Sequence, residues 1–124
     1  MDTRTVGKVV HKGKTLTFAG GACKRPSTPA GTYVATLGVV STANPARTKS
    51  LTITIKRPKG GRTYRNPAAV VSWRISIAGL WVFNPGVVKL SRDLKSGSFS
   101  GTVTTGLGQN AGKGSGSWKC GSVT

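Results

Sequence analysis

The run Leu51-Thr52-Ile53-Thr54-Ile55 alternates apolar and polar residues without a break. In an extended chain this puts Leu51, Ile53 and Ile55 on one face and both threonines on the other. The same period recurs at Tyr33, Ala35, Leu37 and Val39, and again at Val71, Trp73, Ile75 and Ile77. Such alternation marks strands that turn one face to a core and the other to water. Gly, Pro and Asn interrupt the pattern at short intervals, with 18 glycines in 124 residues, and no stretch sustains a helical period. The expected fold is all-β: an antiparallel β-sandwich of about eight or nine short strands, immunoglobulin-like in general architecture. The length suits one domain spanning residues 1–124.

In chain order, Val6–His11 and Lys14–Phe18 are expected as a hairpin turning at Lys12-Gly13. Ala19–Gly31, with Cys23 and two prolines, reads as a loop, and Thr32–Val40 as a strand. Ser41–Ser50 is a polar loop with an Asn44-Pro45 turn signal. Leu51–Ile55 and Val70–Ile77 are the best strands, and they flank a basic segment. Leu80–Phe83 is expected to stop at a turn, Asn84-Pro85-Gly86, before a short strand Val87–Leu90. Ser98–Thr105 and Lys113–Gly121 read as the arms of a last hairpin, with Trp118 and Cys120 on one face. Trp73, Trp81 and Phe83 read as core aromatics, with a carbohydrate-stacking platform as the alternative if Trp81 is exposed.

Charge is the strongest functional signal. Nineteen Lys and Arg stand against Asp2 and Asp93, for a net charge of +17 and an isoelectric point near 11.4. Most of these cations have no carboxylate to meet within the chain, so they face water, counter-ions or an anionic partner. The densest group is Lys56-Arg57-Pro58-Lys59-Gly60-Gly61-Arg62-Thr63-Tyr64-Arg65-Asn66-Pro67. It reads as a flexible contact loop in which Lys56, Arg57, Lys59, Arg62 and Arg65 engage phosphate or sulfate oxygens. Tyr64 would offer a ring for stacking. A solvated hairpin tip explains the same residues. A secondary basic cluster comprises Lys8, Lys12 and Lys14 around the first hairpin, with Lys24 and Arg25 beside Cys23.

Cys23 and Cys120 are the only cysteines, and read as one disulfide formed in an oxidising compartment, the alternative being two buried thiols. Closing so long a loop is worth roughly 4–5 kcal/mol in the chain-entropy picture. No leader is visible at the start, so an exported form is expected to have had its leader removed. No segment is apolar enough over a bilayer's thickness to span it as a helix.

Catalytic and metal chemistry find little material. One histidine, His11, no glutamate and two distant aspartates give no paired carboxylates and no evident Ser–His–Asp set. No cofactor and no metal site is expected once the cysteines are bridged. Gly106-Leu107-Gly108-Gln109-Asn110-Ala111 carries the letters of a dinucleotide fingerprint, but a Gly-rich strand follows where the motif requires a helix. It reads instead as a hairpin tip in which Gly106 and Gly108 take positive φ and Asn110 caps the turn. No sequence-reading nucleic-acid motif is present.

Gly13-Lys14-Thr15-Leu16-Thr17-Phe18-Ala19-Gly20 followed by Cys23, and Phe99-Ser100-Gly101-Thr102-Val103-Thr104-Thr105-Gly106 before a terminal strand ending in Cys120, resemble the mycobacterial lipoprotein-antigen family. The resemblance implies a disulfide-bearing β-sandwich of the cell envelope or extracellular space, without enzymatic activity. The expected function is an exported, non-enzymatic binding module for polyanions, nucleic-acid backbone or anionic envelope polymer, without sequence specificity. The alternative is a structural subunit of a surface assembly, filament or shell, including one that packages nucleic acid.

Overall fold

The computed structural model describes residues 5–28, 30–39, 43–44, 47–75 and 79–124. Ten strands account for most of them: β1 (Val6–His11), β2 (Lys14–Ala19), β3 (Gly21–Lys24), β4 (Thr32–Val39), β5 (Lys49–Lys56), β6 (Thr63–Arg65), β7 (Ala69–Ile75), β8 (Gly79–Leu90), β9 (Ser96–Thr105) and β10 (Asn110–Lys119). Pairing between these strands is antiparallel throughout, in the order β2-β1-β10-β9-β8-β7-β5-β4-β3, with β6 on β8. The all-β antiparallel expectation holds. The strands form one hydrogen-bonded path, coiled nearly into a barrel.

A sharp bend produces that coil. β2 and β3 are consecutive in the chain yet lie at opposite ends of the path. Gly20 and Gly21 join them with φ of 83° and 125°, a region that side chains disfavour. The Gly20 amide donates to the Thr5 carbonyl (2.7 Å), and the Gly20 carbonyl accepts from the Gly38 amide (2.9 Å). One residue thus ties the start of β1 to the end of β4. Read as a loop from the sequence, 19–31 therefore contains a strand. Its alternation is short, with only Cys23 buried, and glycine dominates its approach.

The second departure lies in β8. Asn84-Pro85-Gly86 does not reverse the chain. The Asn84–Pro85 bond is cis, and the register against β9 slips between Phe83 and Gly86. A bulge absorbs the proline, which has no amide to give the ladder, and pairing resumes beyond it. The Gly86 amide donates instead to the Asn66 side-chain oxygen. Other expectations hold in outline. The Lys12-Gly13 turn has positive φ at both residues, as a tight two-residue hairpin requires. At the β9–β10 tip only Gly108 of the two expected glycines has positive φ, while the Asn110 side chain accepts from the Gly112 amide at 2.8 Å. The ends of two expected strands, at Val40 and Ile77, and Asp2 of the N-terminus lie outside the described residues.

The core fills the coil. Leu51, Ile53 and Ile55 are fully buried, as their alternation demands, and each contributes about 1.5–3 kcal/mol by leaving water. An aromatic series crosses the interior from Trp81 through Trp73, Phe83 and Phe99 to Trp118, with ring centroids 5.2–6.2 Å apart. Gly116 makes room for it, since a Cβ there would strike the Phe99 ring and the Lys8 carbonyl. Tyr33, wholly buried, donates its hydroxyl to the Leu94 carbonyl (2.8 Å) and accepts from the Trp118 indole (3.2 Å). Beside it the Cys23–Cys120 disulfide joins β3 to the end of β10, with Cα atoms 6.2 Å apart.

Candidate functional site

The basic segment 56–67 is held at several points. The Arg57 amide donates to the Gly31 carbonyl, and the Leu90 amide to the Arg62 carbonyl, both at 2.9 Å. The Lys56 amide donates to the Ala68 carbonyl at 2.8 Å. Thr63–Arg65 pair with Val87–Lys89, so the segment contains a strand where only a loop was expected. Tyr64 is half-buried against the core, and its hydroxyl accepts from the Lys59 amide and donates to the Gly60 carbonyl, both at 2.7 Å. The hydroxyl therefore closes a turn around Gly60-Gly61, and Tyr64 acts as a staple. The cations remain outside: Lys56, Arg57, Lys59, Arg62 and Arg65 are all exposed.

These bonds bring the segment into a larger rim. Arg57 meets the 25–31 connection through Gly31, and Arg62 meets Leu90, the last residue of β8 before the β8–β9 connection. The Cys120 amide donates to the Lys95 carbonyl (2.6 Å), and the disulfide carries the contact on to β3. Lys24 and Arg25 follow directly, and the Arg25 amide is fixed by the Thr124 carbonyl at 2.9 Å. Four segments remote in sequence thus place Lys24, Arg25, Lys56, Arg57, Lys59, Arg62, Arg92, Lys95 and Lys119 around one end of the coil. That is nine of the chain's 19 cations, all of them exposed.

Among the described residues, one acid shares the rim. Asp93 accepts from the Ser91 hydroxyl (2.7 Å) and the Lys95 amide (3.0 Å). The Ser91 hydroxyl first, then the Lys95 amide, hold its carboxyl below the ordinary range, with the Lys95 charge adding to them. Asp93 is therefore an ionised loop staple. These hydrogen bonds carry more of its ionisation than the neighbouring charge does.

The secondary cluster separates into three places. Lys24 and Arg25 join the rim. Lys8 stands on the outer face of β1, in a cross-strand row with Ser117, Ser98 and Lys89. Lys12 and Lys14 flank the hairpin turn at the other end of β1, beside His11. His11 is half-buried: Nε2 lies 2.8 Å from the Ala111 carbonyl, and the ring meets Trp73 edge-on at 5.6 Å. Among the described residues no three of His, Cys, Asp and Glu are placed to hold a metal ion.

The sequence did not reveal a hollow on the outer surface of β8–β10. Its volume is about 480 Å³; Arg65 and Lys113 line it over a floor that includes Ser100, Gly101 and Thr102. Arg65 reaches it because Arg65 pairs with Val87, Val87 with Ser100, and Lys113 with Thr102. The outward Ser and Thr of β9 and β10 were legible as exposed strand residues. Their meeting with Arg65 depends on β6 docking on β8, which no local pattern announces. The hollow adjoins the Lys8–Ser117–Ser98–Lys89 row, whose ends lie three strand spacings apart, about 14 Å. Small hydroxyl side chains between separated cations leave space for oxyanions to approach backbone and charge together. No helix among the described residues is long and apolar enough to cross a membrane. Comparison with known proteins gave no matching family model, no matching curated protein and no matching solved structure.

Proposed function

We propose that this protein is an exported, non-enzymatic binding module for polyanions. The observation that carries the reading is the rim: nine exposed cations from four segments, fixed to one another by backbone bonds and a disulfide, around one acid among the described residues, Asp93, already held by hydrogen bonds. From the rim, Lys119 and Lys89 lead onto the hydroxyl-lined face and the Arg65–Lys113 hollow. Rigid spacing lowers the cost of ordering these side chains on a polymer, and the Asp93 carboxylate in their midst is already engaged by Ser91 and Lys95. The disulfide supports an oxidising compartment, as in the envelope or outside the cell.

Binding is electrostatic and insensitive to sequence. A duplex DNA engaging about six of the cations loses about 1,000-fold in affinity between 50 and 200 mM salt. Replacing Arg57→Glu together with Arg62→Glu lowers the steepness of that log–log dependence by roughly two. Fluorescence anisotropy with labelled duplex, repeated with linear polyphosphate, reads both effects. Equal affinity at the two salt concentrations would sink the proposal.

A further inference from the structure

Trp81 does not complete the core as Trp73 does. Trp73 is 2% exposed, whereas Trp81 is half-buried, its ring nearly parallel to that of Trp73 with centroids 5.7 Å apart. It stands in the wall of two hollows. The first, about 380 Å³, is formed by Leu16, Trp73, Ile75 and Trp81 with His11, and carries Lys12 and Lys14. The second, about 440 Å³, is lined by Leu80, Trp81, Thr105 and Leu107. Leu107 is 89% exposed at the β9–β10 tip, so this end of the coil presents apolar surface to water in a strongly cationic molecule.

The two hollows ask for a particular chemistry. Their walls are mainly aromatic and aliphatic, while the two lysines of the first are exposed on a hairpin turn. A ligand suited to them has a flat uncharged body and an anionic group held apart from it. Polyphosphate has no such body. Sulfated or uronic sugars carry their charges on the ring itself, which apolar walls would strip of water at high cost. A nucleotide places a neutral planar base at one side of a sugar and its phosphate at the other. In a duplex that base is already stacked and paired, whereas in a single strand it is free to stack on an indole. The Arg65–Lys113 hollow lies close by, since Lys113 adjoins Gly114, the partner of His11 across the β1–β10 ladder.

We infer that the preferred polyanion is single-stranded nucleic acid, with a base stacked at Trp81 and the flanking phosphate on Lys12 and Lys14. This inference rests on the polyanion reading and adds the class of polymer.

The test titrates the protein with a short oligothymidylate, a duplex of equal charge, linear polyphosphate and a sulfated polysaccharide, following tryptophan emission and anisotropy. The expected result is that the single strand quenches emission and binds at least tenfold tighter than the others at moderate salt. Trp81→Ala lowers single-strand affinity about 5- to 150-fold, the range for losing one stacked base, and leaves polyphosphate affinity unchanged. Trp81→Phe keeps the packing on Trp73 and shifts affinity in the same direction by a smaller factor, which covers the case in which the alanine variant does not fold. Equal, salt-sensitive binding of all four polymers without quenching overturns this inference and leaves the polyanion reading standing. Trp81-dependent binding of the polysaccharide as tight as that of the single strand also overturns it. No binding of any polymer at low salt overturns both.

Discussion

Removing one oxygen atom, by Tyr33→Phe, probes the node that ties the disulfide to the core. The hydroxyl donates to the Leu94 carbonyl at 2.8 Å, accepts from the Trp118 indole at 3.2 Å and lies 3.5 Å from the Cys120 sulfur. Phenylalanine keeps the ring and its packing, so no large cavity opens. What is lost is the partner of the Trp118 N–H, on a side chain only 2% exposed, and that of a partly buried carbonyl. An orphaned buried donor costs about 1–3 kcal/mol, and the half-wet carbonyl adds about 0.5–1.5 kcal/mol. Together they predict a loss of about 1.5–4.5 kcal/mol. Urea unfolding reads this as a midpoint lowered by about 1–2 M at the denaturant sensitivity usual for a domain of this size. In a double-mutant cycle with Trp118→Phe, the double variant loses about 1 kcal/mol less than the sum of the singles. The same node sets a pH signature. Burial raises the Tyr33 pKa above its ordinary 10.0; the Trp118 hydrogen bond opposes this and the Asp93 charge adds to it. Because the folded state holds the proton more tightly, this stabilisation is complete below the ordinary value and is lost as pH rises through the folded one. Wild type therefore loses stability above about pH 10 more steeply than Tyr33→Phe. Lysine deprotonation affects both proteins, so the difference isolates Tyr33. A loss under about 0.5 kcal/mol, or parallel alkaline profiles, refutes the account.

Two further outcomes test the scaffold. Replacing both cysteines by serine releases a bridge between residues 97 apart, and lowers stability by about 4–5 kcal/mol in chemical denaturation; an unchanged midpoint contradicts the loop-closure account. Gly116→Ala forces a methyl group against the Lys8 carbonyl and the Phe99 ring, and costs about 1–3 kcal/mol or more, visible as a lower melting temperature and altered aromatic circular dichroism.

Local alternation made the core legible. Leu51, Ile53 and Ile55, Val71 and Trp73, and Trp118 with Cys120 all face inward as their spacing requires. The features that escaped depend on contacts between distant segments. β3 was hidden because one glycine precedes it, another opens it, and only one of its residues is buried. β8 was split in two because Asn-Pro-Gly ordinarily signals a reversal, and only the pairing partner β9 shows that the chain runs on. The basic segment was legible as charge, but not as part of a rim. Its neighbours Lys24, Arg25, Arg92, Lys95 and Lys119 arrive through the disulfide and the β8–β9 connection. Tyr64 was legible as an aromatic among cations. That its hydroxyl would be used within the segment follows from the turn at Gly60-Gly61, which no periodicity encodes.

The bend at Gly20-Gly21 also bears on what happens when many copies of the protein crowd together. A bare sheet margin is a template on which a second chain can add a strand, and high local concentration favours such growth. Here one bent stretch forms both margins. On β3, Cys23 is bridged by Val123, and its carbonyl accepts from the Thr124 amide at 3.0 Å. On β2, the Phe18 ring lies under the Lys49 ammonium at 5.6 Å, within the same molecule. The chain's own last residues thus guard the β3 margin against strand addition by another copy.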